Sequence, residues 1–473
     1  MMPRWIFGPK KRRVKSRSSE FVEGSQVRRE DGRVGGDKKR IAASDSAQPN
    51  MVEASASGGI SPEMSSKMWA MVALTGVVAG LTSGLLMRLL RVVEHTCFAY
   101  SAGDFLDGVR SSPSERRFLV TALAGAVAGV SLYLLRRFTG KSGAGITGAI
   151  WHRQGQFDIA PAVGTSLISI VIVGMGAAVG REAALKDIGA VVAAKISDWM
   201  RLTLAQRHLL VACGAGAGMA AAYNVPLGGA LFAVEVLLGT MSIGSVLAAF
   251  TASVLAVAVS WSMLPNVPAF EVAQLSLSPA LIIWAAIGGP VLGLASVGYV
   301  RVIGWAETGR PKGAMVVAAP LCAFAAIGVA AVWFPEVLGN GKGVVQEAFG
   351  SRLGVGLLGW LLILRPLATA LCLKAGAPGG LFTPTMTFGA LLGGVLGEGW
   401  SHLVPGTAKG SYAILGAGGL LAAASQGPVS SIVFMLELTN HTDALIVPLL
   451  IVVAGATIVS RTLDRSSIYS VRD

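Results

Sequence analysis

"GAGAGMAAAYNVPLGGALFAVEV" (residues 214–236) lies without a gap over "GAGGLLAAASQGPVSSIVFMLEL" (416–438). Pro226 falls on Pro428, Phe232 on Phe434 and Glu235 on Glu437, at a shift of 202 residues. In each copy a Gly-rich apolar stretch meets Asn/Gln-x-Pro, then a short apolar stretch that ends in Glu. Proline cannot continue the helix before it, so both copies predict a helix that breaks and restarts. Upstream, "GREAA" (180–184) falls near "GLFTP" (380–384) at a shift of 200. Two halves of one design, with broken helices in both, point to a site at their interface near the middle of a bilayer. The repeat alone leaves open whether the halves run parallel or inverted.

Composition carries the membrane reading. Of 473 residues, 53% are apolar and 14% charged, against roughly 25% charged in a soluble domain. Apolar blocks near 69–91, 118–135, 162–179, 205–223, 242–262, 280–305, 313–334, 353–373 and 444–460 reach or approach the roughly 20 residues of a spanning helix. Those near 225–239, 383–396, 412–425 and 428–438 are shorter and read as part-spanning. The expected fold is an all-α polytopic membrane protein with repeat halves at about 69–262 and 280–473. This is the make-up of a transporter or channel rather than a receptor bundle.

Residues 1–68 differ. Basic clusters such as "GPKKRRVKSRSS" sit in polar sequence without helical period, which reads as a disordered tail, cytoplasmic by the positive-inside rule and close to anionic lipid headgroups. The net charge of +13 draws heavily on this tail. No aromatic-interleaved basic module accompanies it, so nucleic acid is not an expected partner. Cys97, Cys213, Cys322 and Cys372 are scattered without CxxC spacing, and no HExxH occurs; neither a disulfide framework nor a metal site is expected.

Within "GREAALKDIGA" (180–190), Arg181, Glu182, Lys186 and Asp187 put four formal charges into an apolar region. A charge at the centre of a membrane helix costs roughly 2.5–3.5 kcal/mol on insertion scales and faces a cavity or a partner. A helix starting after Gly180 would offer bare N–H groups and the positive end of its dipole. A mobile anion or the Glu182 carboxylate itself can occupy such a spot. The plainer reading has Glu182 cap its own helix and pair with Lys186 one turn on; Asp187 is an alternative partner for that lysine.

These motifs together resemble the CLC chloride channels and chloride/proton antiporters. "GREAA" resembles their GREGP signature, and "GAPGGLFTP" (376–384) their GxFxP pore motif. "AAAYNVPLGGALFAVEV" is similar to their helix-breaking segment, and "SSIYSVRD" (466–473) to the final pore helix, with its tyrosine at Tyr469. The resemblance spans about residues 69–473, is to the prokaryotic type, and implies a homodimer of inverted repeats in the cell membrane that passes chloride, with no cofactor. It implies Glu182 as the gate. It also implies an anion pathway formed by Gly143, Ala144, Gly145, Ile146, Gly180, Arg181, Gly380, Leu381, Phe382 and Tyr469. Two departures matter. The first pore motif reads "GAGIT" (143–147), with Ala144 where the family carries serine and Thr147 where it carries proline. Val236 stands where antiporters carry a proton-relaying glutamate, which favours a channel or uniporter over the alternative of coupled exchange. Glu235 and Glu437 read as structural. An intramembrane enzyme using Glu182 or Asp187 is the alternative of another class, and the sequence offers it no catalytic partners.

Overall fold

The computed structural model describes residues 64–140, 158–272, 277–440 and 444–472. Most of the basic tail and the whole of 143–147, with Gly143, Ala144, Gly145 and Ile146, lie outside the described residues. Among the described residues there are 16 α-helices and no strand. The first eight are α1 (Ser66–Phe98), α2 (Phe105–Ser111), α3 (Ser114–Thr139), α4 (Ile159–Gly174), α5 (Glu182–Trp199), α6 (Leu204–Tyr223), α7 (Pro226–Phe232) and α8 (Ile243–Ser260). The others are α9 (Pro279–Glu307), α10 (Met315–Trp333), α11 (Lys342–Phe349), α12 (Val355–Lys374), α13 (Phe382–Leu403), α14 (Lys409–Ser425), α15 (Pro428–Thr439) and α16 (Ile446–Leu463). Seven of them (α1, α3, α8, α9, α10, α12 and α16) are long and apolar enough to cross a membrane. Ser65 opens α1 by accepting from the Met68 N–H, so the helix starts just ahead of the boundary expected at residue 69.

Both helix breaks fall where Asn/Gln-x-Pro places them. Asn224 and Gln426 end α6 and α14 in the left-handed region, at φ 57° and 59°, and Pro226 and Pro428 then open α7 and α15. Polar partners hold these strained turns: Trp261 Nε1 donates to Asn224 Oδ1, and Arg461 Nε donates to Gln426 Oε1.

Packing repeats as well. α5 lies on α6 as α13 lies on α14, α1 on α8 as α9 on α16, and α7 meets α15. The Gly-rich patches explain how close these helices come. A side chain on Gly189 or Gly214 would overlap the other's carbonyl, and Gly389 and Gly416 stand in the same relation. In an apolar solvent such backbone proximity, not water exclusion, provides the contact energy.

Two blocks differ from expectation. The apolar run 162–179 does not continue as one helix: α4 stops at Gly174, and residues 175–181 run on without helical structure. Gly176, at φ 102°, turns the chain, and Gly376 does the same at φ 83° after α12. The short block 383–396 belongs to a 22-residue helix, α13; its Thr and Gly content hid its length from a hydropathy reading.

Candidate functional site

The two non-helical segments meet. Gly180 N–H donates to the Gly380 carbonyl at 2.8 Å, and Gly380 N–H donates to the Gly180 carbonyl at 2.6 Å. This bridge between the halves fixes where α5 and α13 begin, so both helix N-termini are aimed from one junction. Glu182 is the first residue of α5 and is fully buried.

Its carboxylate does not serve α5. Glu182 Oε1 accepts from the Thr383 N–H at 3.3 Å. Thr383 is the second residue of α13, and its amide is one of the donors a helix leaves unmet at its start. Oε2 lies 3.3 Å from both the Tyr223 and Thr383 hydroxyls, each placed to donate. These hydroxyls are themselves 2.7 Å apart, so one can donate to the other while a proton remains for Oε2. An anionic oxygen at a helix N-terminus, met by a backbone amide and hydroxyls, is an anion-binding arrangement. Here a side chain of the protein fills it.

Self-capping, the plainer sequence reading of Glu182, therefore gives way to capping across the halves. Lys186 is 4% exposed, with Nζ 4.6 Å from the Tyr469 ring centre and 5.1 Å from that of Phe232. Aromatic rings form one wall from there back to Glu182. Tyr469 meets Phe232 (5.6 Å), Phe232 meets Phe434 (6.4 Å), Phe434 meets Phe382 (4.8 Å) and Phe382 meets Tyr223 (5.9 Å). Leu381 and Phe382, at the start of α13, are buried. Tyr469 is buried too, in a turn that docks where the Ile468 N–H donates to the Ala424 carbonyl near the end of α14. The segment the resemblance treats as a pore helix is, over its described residues, a turn followed by a single 3-10 turn, Ser470–Arg472.

Arg181 holds its guanidinium 5.1 Å from the Tyr223 ring centre. It lines a cleft shared with Arg91, Glu94, Asp104, Tyr223 and Lys342. The cleft thus reaches the tyrosine that donates to Glu182, and three of these six groups are cationic. Among the described residues no cluster of His, Cys, Asp and Glu has the form of a metal site.

The repeat-mates form a second set of reciprocal contacts. Glu235 accepts from the Val429 and Ser430 N–H groups at 3.0 and 2.6 Å. Glu437 accepts from those of Leu227 and Gly228 at 3.0 and 2.6 Å. Each carboxylate thereby caps the short helix of the opposite half. Val236, next to Glu235 in a π-helical turn (Ala233–Leu238), is partly buried beside Gly427. Tyr223 and Thr383 were not singled out from the sequence, although both lie inside the quoted motifs.

Residues 124–461 match the family model described as voltage gated chloride channel. The chain belongs to the CLC family. Among relatives of this family, it is 30% identical over 438 residues to the H(+)/Cl(-) exchange transporter ClcA of Cronobacter sakazakii, covering 85% of this chain and 88% of that one. It is 30% identical over 407 residues to the voltage-gated ClC-type chloride channel ClcB of Escherichia coli, covering 84% and 96%. In fold it is similar to a slow cyanobacterial Cl-/H+ antiporter, with TM-score 0.75 at 21% identity over 86% of this chain and 97% of that one. A CLC-type fluoride/proton antiporter gives TM-score 0.68 at 18% identity, covering 86% and 98%. CLC proteins are channels and transporters, and this one is a multi-pass membrane protein with the CLC fold. The relatives' names favour exchange over the uncoupled flow expected from Val236.

Proposed function

We propose that the chain exchanges chloride for protons across the cell membrane, with Glu182 as the group that does both jobs. When ionised, its carboxylate fills the pocket at the N-terminus of α13 and excludes chloride. When protonated, or displaced by the halide, it leaves and chloride takes the same donors. The observation that carries this reading is the position of the carboxylate against the Thr383 amide and the Tyr223 and Thr383 hydroxyls. The exchange names of similar proteins add to it. Gly180, Gly380, Leu381, Phe382 and Tyr469 line the pathway in this reading, Arg181 gathers anions at its mouth, and two copies of the chain pair as a homodimer.

A second reading, uncoupled anion flow, rests on Val236, since an apolar side chain relays no proton. One experiment separates the two. Purified protein in sealed liposomes is given an outward chloride gradient with a proton probe present. Exchange drives protons inward against no proton gradient, while a channel or uniporter releases chloride without moving them. No chloride release at all would refute both.

A further inference from the structure

α12 carries two buried polar side chains that the exchange reading leaves without a task. Arg365 is 2% exposed, and its Nη1 donates to the carbonyls of Val337 at 2.7 Å and Gly339 at 2.9 Å. Thr369, one helical turn on and also buried, donates from Oγ1 to the Ala178 carbonyl at 2.8 Å. The two acceptor segments are tied to each other as well, because the Gly339 N–H donates to the Gly176 carbonyl at 2.9 Å. Gly341 closes over the guanidinium at φ 97°, where any side chain would overlap Nη2.

Residues 175–181 and 338–341 are not helical, so their carbonyls need donors from outside their own segment. An arginine at this depth is costly and is found where partners such as backbone carbonyls receive it. It also keeps its proton at any working pH, so this anchor stands still while Glu182 gains and loses one. The anchored segment runs on through Gly180, whose bridge to Gly380 precedes Glu182 by two residues.

We propose that Arg365 and Thr369 are positioning residues for the gate: they hold residues 175–181 so that the Glu182 carboxylate meets the N-terminus of α13. The role rests on Glu182 being the gate, as in the exchange reading, and names what keeps its carboxylate on the Thr383 amide.

The test uses the full chain, with chloride release from liposomes at neutral pH. Arg365→Gln removes the charge and should speed release about ten-fold; Thr369→Val keeps the shape, removes one donor and should speed it about three-fold. Arg365→Lys should stay within about three-fold of the parent, because an ammonium has three donors for the same carbonyls. In a Glu182→Gln background neither Arg365→Gln nor Thr369→Val should change the rate by more than about two-fold, since no carboxylate is left to place. Should Arg365→Gln elute as aggregate, Thr369→Val decides. An unchanged or slower rate in either monodisperse variant overturns the proposal. So does the same gain in the Glu182→Gln background, which is the mark of a loosened bundle, or an Arg365→Lys variant as fast as Arg365→Gln. A parent that releases no chloride, or a Glu182→Gln variant that behaves as the parent does, refutes the gate reading itself.

Discussion

Replacing Glu182 by Gln keeps the shape of the side chain and removes its charge. In the structure one backbone N–H and one hydroxyl proton at a time reach the carboxylate, each at 3.3 Å. A hydrogen bond to a charged acceptor contributes about 1.5–3 kcal/mol and a neutral one about 0.5–1.5 kcal/mol. At this length the low ends apply, so each bond loses about 1 kcal/mol and the pair about 2 kcal/mol. That corresponds to roughly a 30-fold weaker hold on the pocket at the N-terminus of α13. The assay is chloride release from liposomes, compared from neutral to acidic pH. The parent should release chloride faster as pH falls, because protons neutralise the group that competes with the halide. The Gln variant should be fast throughout, with a flat profile. A variant that keeps the parent's pH dependence would show that some other group holds the pocket.

Three further outcomes follow from the geometry. Glu437→Ala leaves the Leu227 and Gly228 N–H groups of α7 without their acceptor, at a cost of about 2 kcal/mol; an unchanged thermal melt in detergent would contradict the capping role. Tyr223→Phe removes a hydroxyl that meets both Glu182 and Thr383 but leaves the Thr383 hydroxyl to donate to Glu182, so chloride release at neutral pH should stay within about 3-fold of the parent, with a change of about ten-fold or more as the refuting result. Gly389→Val drives a side chain into the Gly416 carbonyl, and overpacking of this kind costs about 1–3 kcal/mol or more; a variant as monodisperse and heat-stable as the parent would contradict the contact.

The helix breaks, the short helices that Pro226 and Pro428 open and the paired glutamates were legible because Pro and Asn/Gln impose local geometry that needs no knowledge of the partner. The junction was not. Gly180 and Gly380 bond across 200 residues, and nothing in the spacing of either motif says that the two backbones touch. The apolar run through Met175–Val179 looked helical because a non-helical segment sheltered inside a bundle has the same composition as a spanning helix. A further signal was present: "MGAAVG" (175–180) is matched by "AGAPGG" (375–380), with Gly176 and Gly376 both at positive φ. Tyr223 went unremarked because its hydroxyl matters only once α6 and α13 are brought together. The charge of Glu182 was conspicuous, but its partner lay on the other half, and self-capping was the nearest explanation within reach of one helix.

The exchanged caps of Glu235 and Glu437 bear on how the protein is made. While the ribosome has yet to deliver residue 437, the amides at the start of α7 lack the acceptor they have in the finished molecule. The short helix α7 of the first half is therefore completed only when the last tenth of the chain has been made. A chain that ended after α13 would leave the Leu227 and Gly228 N–H groups without the acceptor they have in the finished molecule.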